Sequence, residues 1–318
     1  MDREAALVAL GCALRERRYA FVTVTPATHA RVLARGPARA SSLRDVFGWS
    51  RPFTKDALPA ALFDLLDAAG ALVASPTDDT YRSAVRFSTL AGDLFAHSAY
   101  PTADLEAVFF GPDTYRFCAA IARAGRSGAR VVDIGCGSGA GGVVAGRRAE
   151  RLVLADVNDE ALAFARVNAA LAGIGGVEVV RSDVLAQVDG AFDLIVANPP
   201  YMRDEARRVY RDGGGAYGEQ LSVRIAREAA ARLAPGGTLL LYTGAAVVDG
   251  EDVFLEAVAT ALGGARNEAR NETRNETSPA FDYEELDPDV FGDELERPGY
   301  ERVERIAAVL LTVTRPPG

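Results

Sequence analysis

The sequence predicts an α/β fold with a mostly parallel, seven-stranded sheet, and two observations support that prediction. After residue 130, short apolar runs alternate with helical segments, and a glycine-rich loop follows the first run. Short apolar strands separated by helices are typical of parallel strands buried on both faces. We therefore expect a Rossmann-like, doubly wound sheet with an antiparallel edge strand, preceded by a small helical or winged-helix-like domain.

The composition limits the class of protein. The chain has 318 residues, of which 49% are hydrophobic and 25% are charged, as in ordinary globular proteins. No apolar run is long enough for a membrane helix, and Met1-Asp2-Arg3-Glu4 does not begin like a signal peptide. Three widely spaced cysteines fit a reducing compartment and predict neither a disulfide framework nor a zinc site. We expect a cytoplasmic protein with no membrane partner and no metal.

Charge is unevenly distributed along the chain. Residues 1–60 hold ten basic and five acidic side chains, a balance of +5, so the net charge of −9 leaves −14 for the remainder. The basic opening favours a nucleic-acid partner, whereas the acidic remainder does not. We expect an accessory domain over residues 1–100 that recognises the substrate, and a larger domain over residues 101–318.

The accessory part begins with helical spacing. Apolar residues recur at three- and four-residue intervals over 5–18 and 58–69. Short strands are expected at 71–73 and 85–87, on either side of a turn at 75–79. Helices followed by two such strands fit a winged helix and a generic helical cap equally well.

Seven strands are expected in the larger part. They lie at 130–134, 152–155, 177–180, 194–197, 238–242, 281–286 and 306–314. Helices are expected at 160–172 and 219–233, but not between the last two strands, which should pair antiparallel at the sheet edge. The segment 287–300 is either a lid over the substrate site or a connection. The polar repeat 265–277 predicts a solvated loop or a frayed helix extension.

The glycine-rich loop directly follows the first strand of the larger part. It reads Asp133-Ile134-Gly135-Cys136-Gly137-Ser138-Gly139. Its glycines allow a tight turn and a close approach of the backbone to a ligand. Asp156 ends the next strand, where a carboxylate can bind the hydroxyl pair of a ribose. The spacing from Gly135 to Ala140 also fits a dinucleotide fingerprint, so two nucleotide-like ligands compete for this loop.

A second motif, Asn198-Pro199-Pro200-Tyr201, follows an apolar strand at 192–197. The two prolines fix φ and remove two N–H donors, which makes a rigid turn at the strand end. The Pro199 carbonyl and the Asn198 side-chain carbonyl can then both accept from one NH2 group. Tyr201 is expected to offer a flat face to a planar group.

Together these motifs resemble those of class I methyltransferases, which bind S-adenosyl-L-methionine (SAM), and especially the small-domain N-methyltransferases. The resemblance implies that the glycine loop lies against the methionyl part of SAM, that Asp156 holds the ribose and that Asp183 lies near the adenine amino group. The cofactor-binding residues that it implies are Asp133, Gly135, Cys136, Gly137, Gly139, Asp156, Val157, Asp183, Val184, Asn198 and Thr114. The catalytic residues that it implies are Asn198, Pro199, Pro200 and Tyr201.

The segment 109–115, which contains Asp113 and Thr114, occupies the place of the segment that closes over SAM in this group. These two side chains either cap the following helix or also line the pocket. Further along, a glycine-rich stretch at 213–218 follows the Asn-Pro-Pro-Tyr motif and leads into a helix. This arrangement is similar to that in release-factor glutamine methyltransferases. Those enzymes modify the glutamine of a Gly-Gly-Gln tripeptide in translation termination factors. A protein glutamine is therefore the first substrate that the resemblance implies.

The alternative substrate is adenine N6 or guanine N2 in rRNA, tRNA or DNA. It is favoured by the basic first sixty residues and by four arginines after the Asn-Pro-Pro-Tyr motif, Arg203, Arg207, Arg208 and Arg211. For a duplex substrate, Tyr201 would stack on a flipped base. A small-molecule amine, a non-catalytic binding module and a dinucleotide oxidoreductase are further alternatives; the last of these lacks a suitable histidine.

Overall fold

The structure is a computed structural model that describes residues 1–102, 104–204, 208, 210–263 and 280–318. The first elements are α1 (Arg3–Glu16), α2 (Pro26–Arg35), α3 (Leu43–Phe47), α4 (Ala60–Ala68), β1 (Leu72–Ala74), β2 (Tyr81–Ser83), β3 (Val85–Leu90) and β4 (Asp93–Ser98). They are followed by α5 (Pro112–Ala124), β5 (Arg130–Ile134), α6 (Ala140–Ala145), β6 (Arg151–Asp156), α7 (Asp159–Leu171), β7 (Val177–Arg181) and β8 (Phe192–Ala197). The last are α8 (Gln220–Arg232), β9 (Leu233–Val248), β10 (Glu251–Asp252), α9 (Val253–Ala261), β11 (Ala280–Asp287) and β12 (Val303–Thr314). The predicted polar repeat 265–277 lies outside the described residues.

Several helices begin at side chains that accept a hydrogen bond from their first turn. Asp2 accepts from the Ala5 N–H at the start of α1, and Thr25 does the same for α2, which has a proline at its first position. Asn158 begins α7 in this way and Asp252 begins α9. These caps satisfy backbone donors that a helix start leaves free, so they place the helix ends where the sequence specifies.

The main sheet has the strand order β11-β12-β9-β8-β5-β6-β7, and the two-residue β10 pairs with β9. The five strands from β9 to β7 run parallel to one another, and β12 runs antiparallel to both of its neighbours. The predicted seven-stranded, mostly parallel sheet is therefore confirmed. The reversed strand is β12, which lies one place in from the edge, because β11 continues the sheet beyond it.

Helices cover both faces of this sheet, as expected for a doubly wound fold. On one face, Val131 and Leu154 pack with Ile121 of α5 and Val143 of α6. On the other face, alternate strand residues pack with α8 and α9. Since successive side chains of a strand point to opposite faces, these apolar runs supply both cores at once.

The small strands of the first hundred residues pair differently from the prediction. β1 pairs with β2 across the expected turn, whereas the strand that begins at Val85 pairs with β4. Ala84 separates β2 from β3 and donates its N–H to the Ala71 carbonyl. Ala91 and Gly92 both have positive φ, of 52° and 89°, and close β3 onto β4. This two-residue turn is the hairpin signal that the prediction missed.

The first hundred residues pack directly on α7. Phe164, Val167 and Leu171 of that helix share a core cluster with residues of α1, α4 and β3. Asn168 of α7 is fully buried, and its side-chain amide donates to the carbonyls of Ala96 and Ser138. The division at residue 100 stays a prediction, because α7 contributes to the cores of both parts. No helix in the described residues is long and apolar enough to cross a membrane.

Candidate functional site

A cleft of about 980 Å³ opens at the carboxyl ends of the parallel strands, where ligands commonly bind in such sheets. Every predicted site residue except Gly139 lines it. These residues are Thr114, Asp133, Gly135, Cys136, Gly137, Asp156, Val157, Asp183, Val184, Asn198, Pro199, Pro200 and Tyr201. The structure thus brings together residues from five separate segments of the chain.

The glycine loop after β5 forms one wall of the cleft. Gly135 and Gly137 have φ of 64° and 52°, and a Cβ atom at either position would meet nothing within 4 Å. The backbone there turns in a way that favours glycine and faces open space. Gly139 has a different function: it begins α6 with φ of 77°, and a Cβ on it would lie 3.3 Å from Ala165 Cα. It therefore serves the turn and the packing of α7.

Asp156 is held in the cleft wall by backbone donors. Its Oδ2 accepts from the Gly137 N–H and its Oδ1 from the Asn158 N–H, both at 2.9 Å. The side chain is 8% exposed, and burial raises the pKa of its carboxyl. Each carboxylate oxygen keeps a further lone pair for a ligand hydroxyl. An open glycine backbone beside a fixed carboxylate fits the methionyl and ribose parts of SAM.

Asp133 lies beneath the glycine loop. It is 1% exposed, and its Oδ2 accepts from the Gly142 N–H at 2.7 Å. Burial raises the pKa of this carboxyl to about 8. The side chain therefore fixes the start of α6 against the end of β5.

The adenine end of the predicted site is more open. Val157 is 42% exposed and offers an apolar surface next to Asp156, which suits a planar base. The Asp183 carboxylate accepts two hydrogen bonds from Arg224, at 2.9 and 3.0 Å, and its side chain is 59% exposed. Val184 is buried and has φ of 53°. Asp183 thus reaches the cleft while its charge is already paired.

The Asn-Pro-Pro-Tyr turn leaves the end of β8 on the opposite wall. Asn198 is partly exposed, and its side-chain amide makes no hydrogen bond within the described residues. No described donor reaches the Pro199 carbonyl either. Two acceptors are therefore free at a rigid turn that borders the wall formed by the glycine loop.

The ring of Tyr201 is buried, whereas the sequence predicts a ring face that is open to a planar substrate group. It is 7% exposed, its ring packs on the backbone of Gly244, and its edge meets the Phe291 ring with centroids 6.1 Å apart. Its hydroxyl donates to Asp113 Oδ2. Tyr201 lines the cleft, but its ring packs on Gly244 of β9 and little of its surface is exposed, so it does not offer the open face that was expected.

The partners of that tyrosine include residues that sequence reasoning missed. Asp113 was expected as a cap or a lining residue, yet its buried carboxylate also accepts from the Tyr242 hydroxyl at 3.0 Å. Thr114 is the capping residue, since its hydroxyl accepts from the Gly111 N–H at 3.3 Å. The sequence feature that could have pointed to Tyr242 is its position as the one polar residue at the end of an apolar run, 239–242.

The glycine-rich stretch 213–218 lies against the back of the Asn-Pro-Pro-Tyr turn. A Cβ on Gly213 would come within 2.7 Å of the Pro200 carbonyl oxygen, and one on Gly218 within 2.2 Å of the Tyr201 oxygen. Side chains at these positions would displace the turn. The stretch is thus a close-packed support rather than a loose loop.

Two of the arginines after the motif are paired with acidic side chains inside the chain. Arg208 Nε donates to Asp204 Oδ2 at 2.8 Å, and Arg211 forms ion pairs with Asp204 and Glu294. The Arg208 contact lowers the pKa of Asp204 to about 2. Arg203 lies beside Gly299. Arg207 is outside the described residues. Since two of the other three are paired with acids, these three do not form a free row of cations.

The segment 287–300 forms the outer wall of the cleft. Its lining residues are Asp289, Val290, Phe291, Gly292, Asp293, Glu294 and Arg297. Of the two expectations for this segment, its position fits a cover over the substrate site better than a bare connection. Within the described residues no three His, Cys, Asp or Glu side chains are grouped to hold a metal ion.

Residues 119–257 match the family model described as methyltransferase small domain. A ribosomal RNA small subunit methyltransferase C of Chromohalobacter salexigens is 39% identical over 37% of this chain and 32% of its own length. A release factor glutamine methyltransferase of Deinococcus radiodurans is 40% identical over 35% of this chain and 44% of its own length. A T. thermophilus 16S rRNA methyltransferase solved with AdoMet and guanosine is 15% identical, with a TM-score of 0.45, over 84% of this chain and 64% of that one.

The strand order and the cleft at the carboxyl ends of the parallel strands agree with the resemblance to class I, SAM-dependent methyltransferases. The match to the methyltransferase small-domain model covers 139 of the 318 residues, so it marks this part of the chain as similar to that family. The chain spans less than half the length of each of these two curated relatives.

Proposed function

We propose that this chain transfers a methyl group from SAM to the nitrogen of a planar amide or aromatic amine. The observation that carries the proposal is the pair of unpartnered acceptors on Asn198 and Pro199, which border the glycine wall of one cleft. SAM, when bound, supplies an electrophilic methyl group on a positively charged sulfur. Because that charge is dispersed during transfer, the protein needs to position the nitrogen more than to supply a strong base.

Each wall of the cleft has its own role in this proposal. Gly135, Gly137 and Asp156 bind the cofactor, with Val157 and Asp183 at its adenine end. Asn198 and Pro199 accept from the two hydrogens of the substrate NH2 group. That hydrogen bonding turns the delocalised lone pair of the nitrogen towards the methyl group, which is the step that a free amide disfavours.

The first substrate candidate is a glutamine side chain of a protein, such as a translation release factor. Asp212, Asp289 and Asp293 line the cleft and form no ion pair with a described residue, whereas Arg208 and Arg211 are paired to acids. Such a rim repels a phosphate backbone and accepts an uncharged peptide. The Deinococcus relative bears the name of such an enzyme. We also propose a cytoplasmic location, which the three free cysteines support.

A nucleic-acid base is the second candidate, and a specific observation favours it. Residues 17–44 contain six arginines and no Asp or Glu, and all six are exposed. Thr25, Pro26 and Ala27, at the start of α2, line the cleft. Arg31 and Arg35 follow on the same helix, one turn apart, and make no ion pair with a described residue. Phosphates could bind there while a base enters the cleft.

The test is transfer of label from tritiated SAM to purified release factors, total RNA and genomic DNA. We expect label in the release factor, located on glutamine by peptide mapping, and none with the Asn198→Ala variant. Label in RNA or DNA alone supports the second candidate, and the variant Arg31→Glu with Arg35→Glu should then reduce it. SAM binding without transfer to any member of the panel, or to added small amines, contradicts the proposed activity.

A further inference from the structure

Beneath the Asn-Pro-Pro-Tyr turn lies a buried carboxylate with an unusual set of partners. Asp113 is 5% exposed and sits in the first turn of α5. One of its oxygens accepts from the Tyr201 hydroxyl, and the other accepts from Tyr242 at 3.0 Å and from Arg116 at 3.2 Å. A carboxylate is costly to bury, so a site that holds one and supplies three donors is built for it.

These donors come from distant parts of the chain. Tyr201 ends the motif after β8, Tyr242 lies within β9, and Arg116 belongs to α5. Helix α5 also borders the proposed cofactor site, since Thr114 and Phe117 line the cleft together with the glycine loop. Asp113, on the helix that lines the cleft beside the glycine loop, is thus hydrogen-bonded directly to the Asn-Pro-Pro-Tyr turn.

The Tyr201 ring has little room to move. It rests on β9 where a Cβ on Gly244 would come within 2.3 Å of its Cδ2, and Phe291 covers its edge. Two prolines precede this residue, and their φ angles are fixed. With β8 holding one end of the turn and the tyrosine hydroxyl holding the other, the backbone that carries Asn198 and Pro199 is held at both ends.

A second connection runs from the same carboxylate to the outer wall. Arg116 contacts Asp113 and also donates to Asp287 Oδ2 at 2.9 Å, at the start of the segment 287–300. Burial raises the pKa of Asp113, although the two hydroxyls and Arg116 act against that rise. The network therefore joins helix α5, the turn and the start of the segment 287–300.

We propose that Asp113 is a positioning residue, which holds Tyr201 so that the Asn-Pro-Pro-Tyr turn presents its two acceptors to the substrate nitrogen. This inference rests on the proposed function. It assigns Tyr201 to the support of the turn, in place of stacking on the substrate. Asp113 touches neither the substrate nor the methyl group in this role, and it acts through the tyrosine.

The test compares Tyr201→Phe with Tyr242→Phe, using the substrate labelled in the panel and isothermal calorimetry with SAM. Both variants remove one hydroxyl from the same carboxylate, but only Tyr201 belongs to the turn. We expect kcat to fall at least about tenfold for Tyr201→Phe and less than about threefold for Tyr242→Phe, with the Kd for SAM changed less than about twofold in both. Equal losses of kcat, or SAM affinity that falls together with kcat, overturn the proposal.

Asp113→Asn adds a readout that does not need a substrate. The Met202 N–H donates to the Arg211 carbonyl at 3.1 Å, directly after the turn, and its hydrogen exchange reports how firmly the turn is held. We expect exchange at Met202 to rise in Asp113→Asn and in Tyr201→Phe, but not in Tyr242→Phe. Unchanged exchange in the first two overturns the inference. If exchange at Met202 rises in these two variants but the wild-type protein labels no substrate, the role of Asp113 in holding the turn is upheld. Only the proposed activity is then contradicted.

Discussion

The two walls of the cleft are built in different ways. On the proposed cofactor wall, the side chain of Asp156 is held by N–H groups within twenty residues of it, and the glycine loop faces open space. On the proposed substrate wall, side chains from three distant segments hold one another through Asp113, Asp204 and Glu294. The cofactor wall is thus set by local backbone geometry, whereas the substrate wall depends on contacts between remote parts of the chain.

The largest expected effect concerns the substrate wall. Asn198→Ala removes one of the two acceptors, and we expect kcat to fall about 100-fold or more, in line with the loss of one oriented polar group in other active sites. The Kd for SAM should change less than about twofold, because the cofactor wall is intact. Steady-state kinetics and calorimetry measure the two quantities. Turnover near the wild-type rate would show that the nitrogen is positioned elsewhere.

The next effect concerns the cofactor wall. Asp156→Ala removes a charged acceptor, which is worth about 1.5–3 kcal/mol, so the Kd for SAM should rise roughly 10- to 150-fold. Asp156→Asn is the matched control, because its carbonyl can still accept one hydroxyl and should lose less. Calorimetry with SAM measures both, and unchanged affinity would mean that the ribose lies elsewhere.

A third prediction uses the raised pKa of Asp133 beneath the glycine loop. Its pKa is about 8 in the folded chain, against 3.8 as the ordinary value, so the folded state holds an extra proton between those limits. Stability therefore falls as pH rises through this window, by up to about 1.4 kcal/mol per pH unit for one proton. Asp133→Asn has no such proton. Between pH 5 and 8, its free energy of unfolding should therefore increase relative to that of the wild type. Urea titrations at several pH values measure the difference; parallel curves would contradict the assignment.

The smallest expected effect is the loss of SAM affinity in Asp183→Ala, which we compare with the loss in Asp156→Ala. The Asp183 carboxylate is more than half exposed and already paired with Arg224, so its charge is screened. Asp183→Ala should weaken SAM binding by less than about 1 kcal/mol, well below the Asp156→Ala effect. Calorimetry on the two variants side by side decides this, and equal losses would place the adenine amino group on Asp183.

The sequence predicts features that depend on neighbouring residues, but not those that depend on contacts between remote parts of the chain. The strands of the main sheet, the glycine loop and Asp156 are visible in the sequence because each depends on a run of neighbouring residues. The covered ring of Tyr201 and the pairing of Arg211 with Glu294 are not visible, since their partners lie far away in the chain. The β3–β4 hairpin is an intermediate case: its turn, Ala91-Gly92, is local, but the residue types there signal a turn only weakly.

The buried side-chain amide of Asn168 has a consequence for any attempt to divide this protein. It bonds to Ala96 on both its oxygen and its nitrogen, and to the Ser138 carbonyl inside the glycine loop. A shortened polypeptide that starts at residue 101 would leave this amide half-satisfied and expose the apolar side of α7, with Phe164 and Val167 open to water. We therefore expect residues 101–318 to be less stable without the first hundred residues, which cover this side of α7.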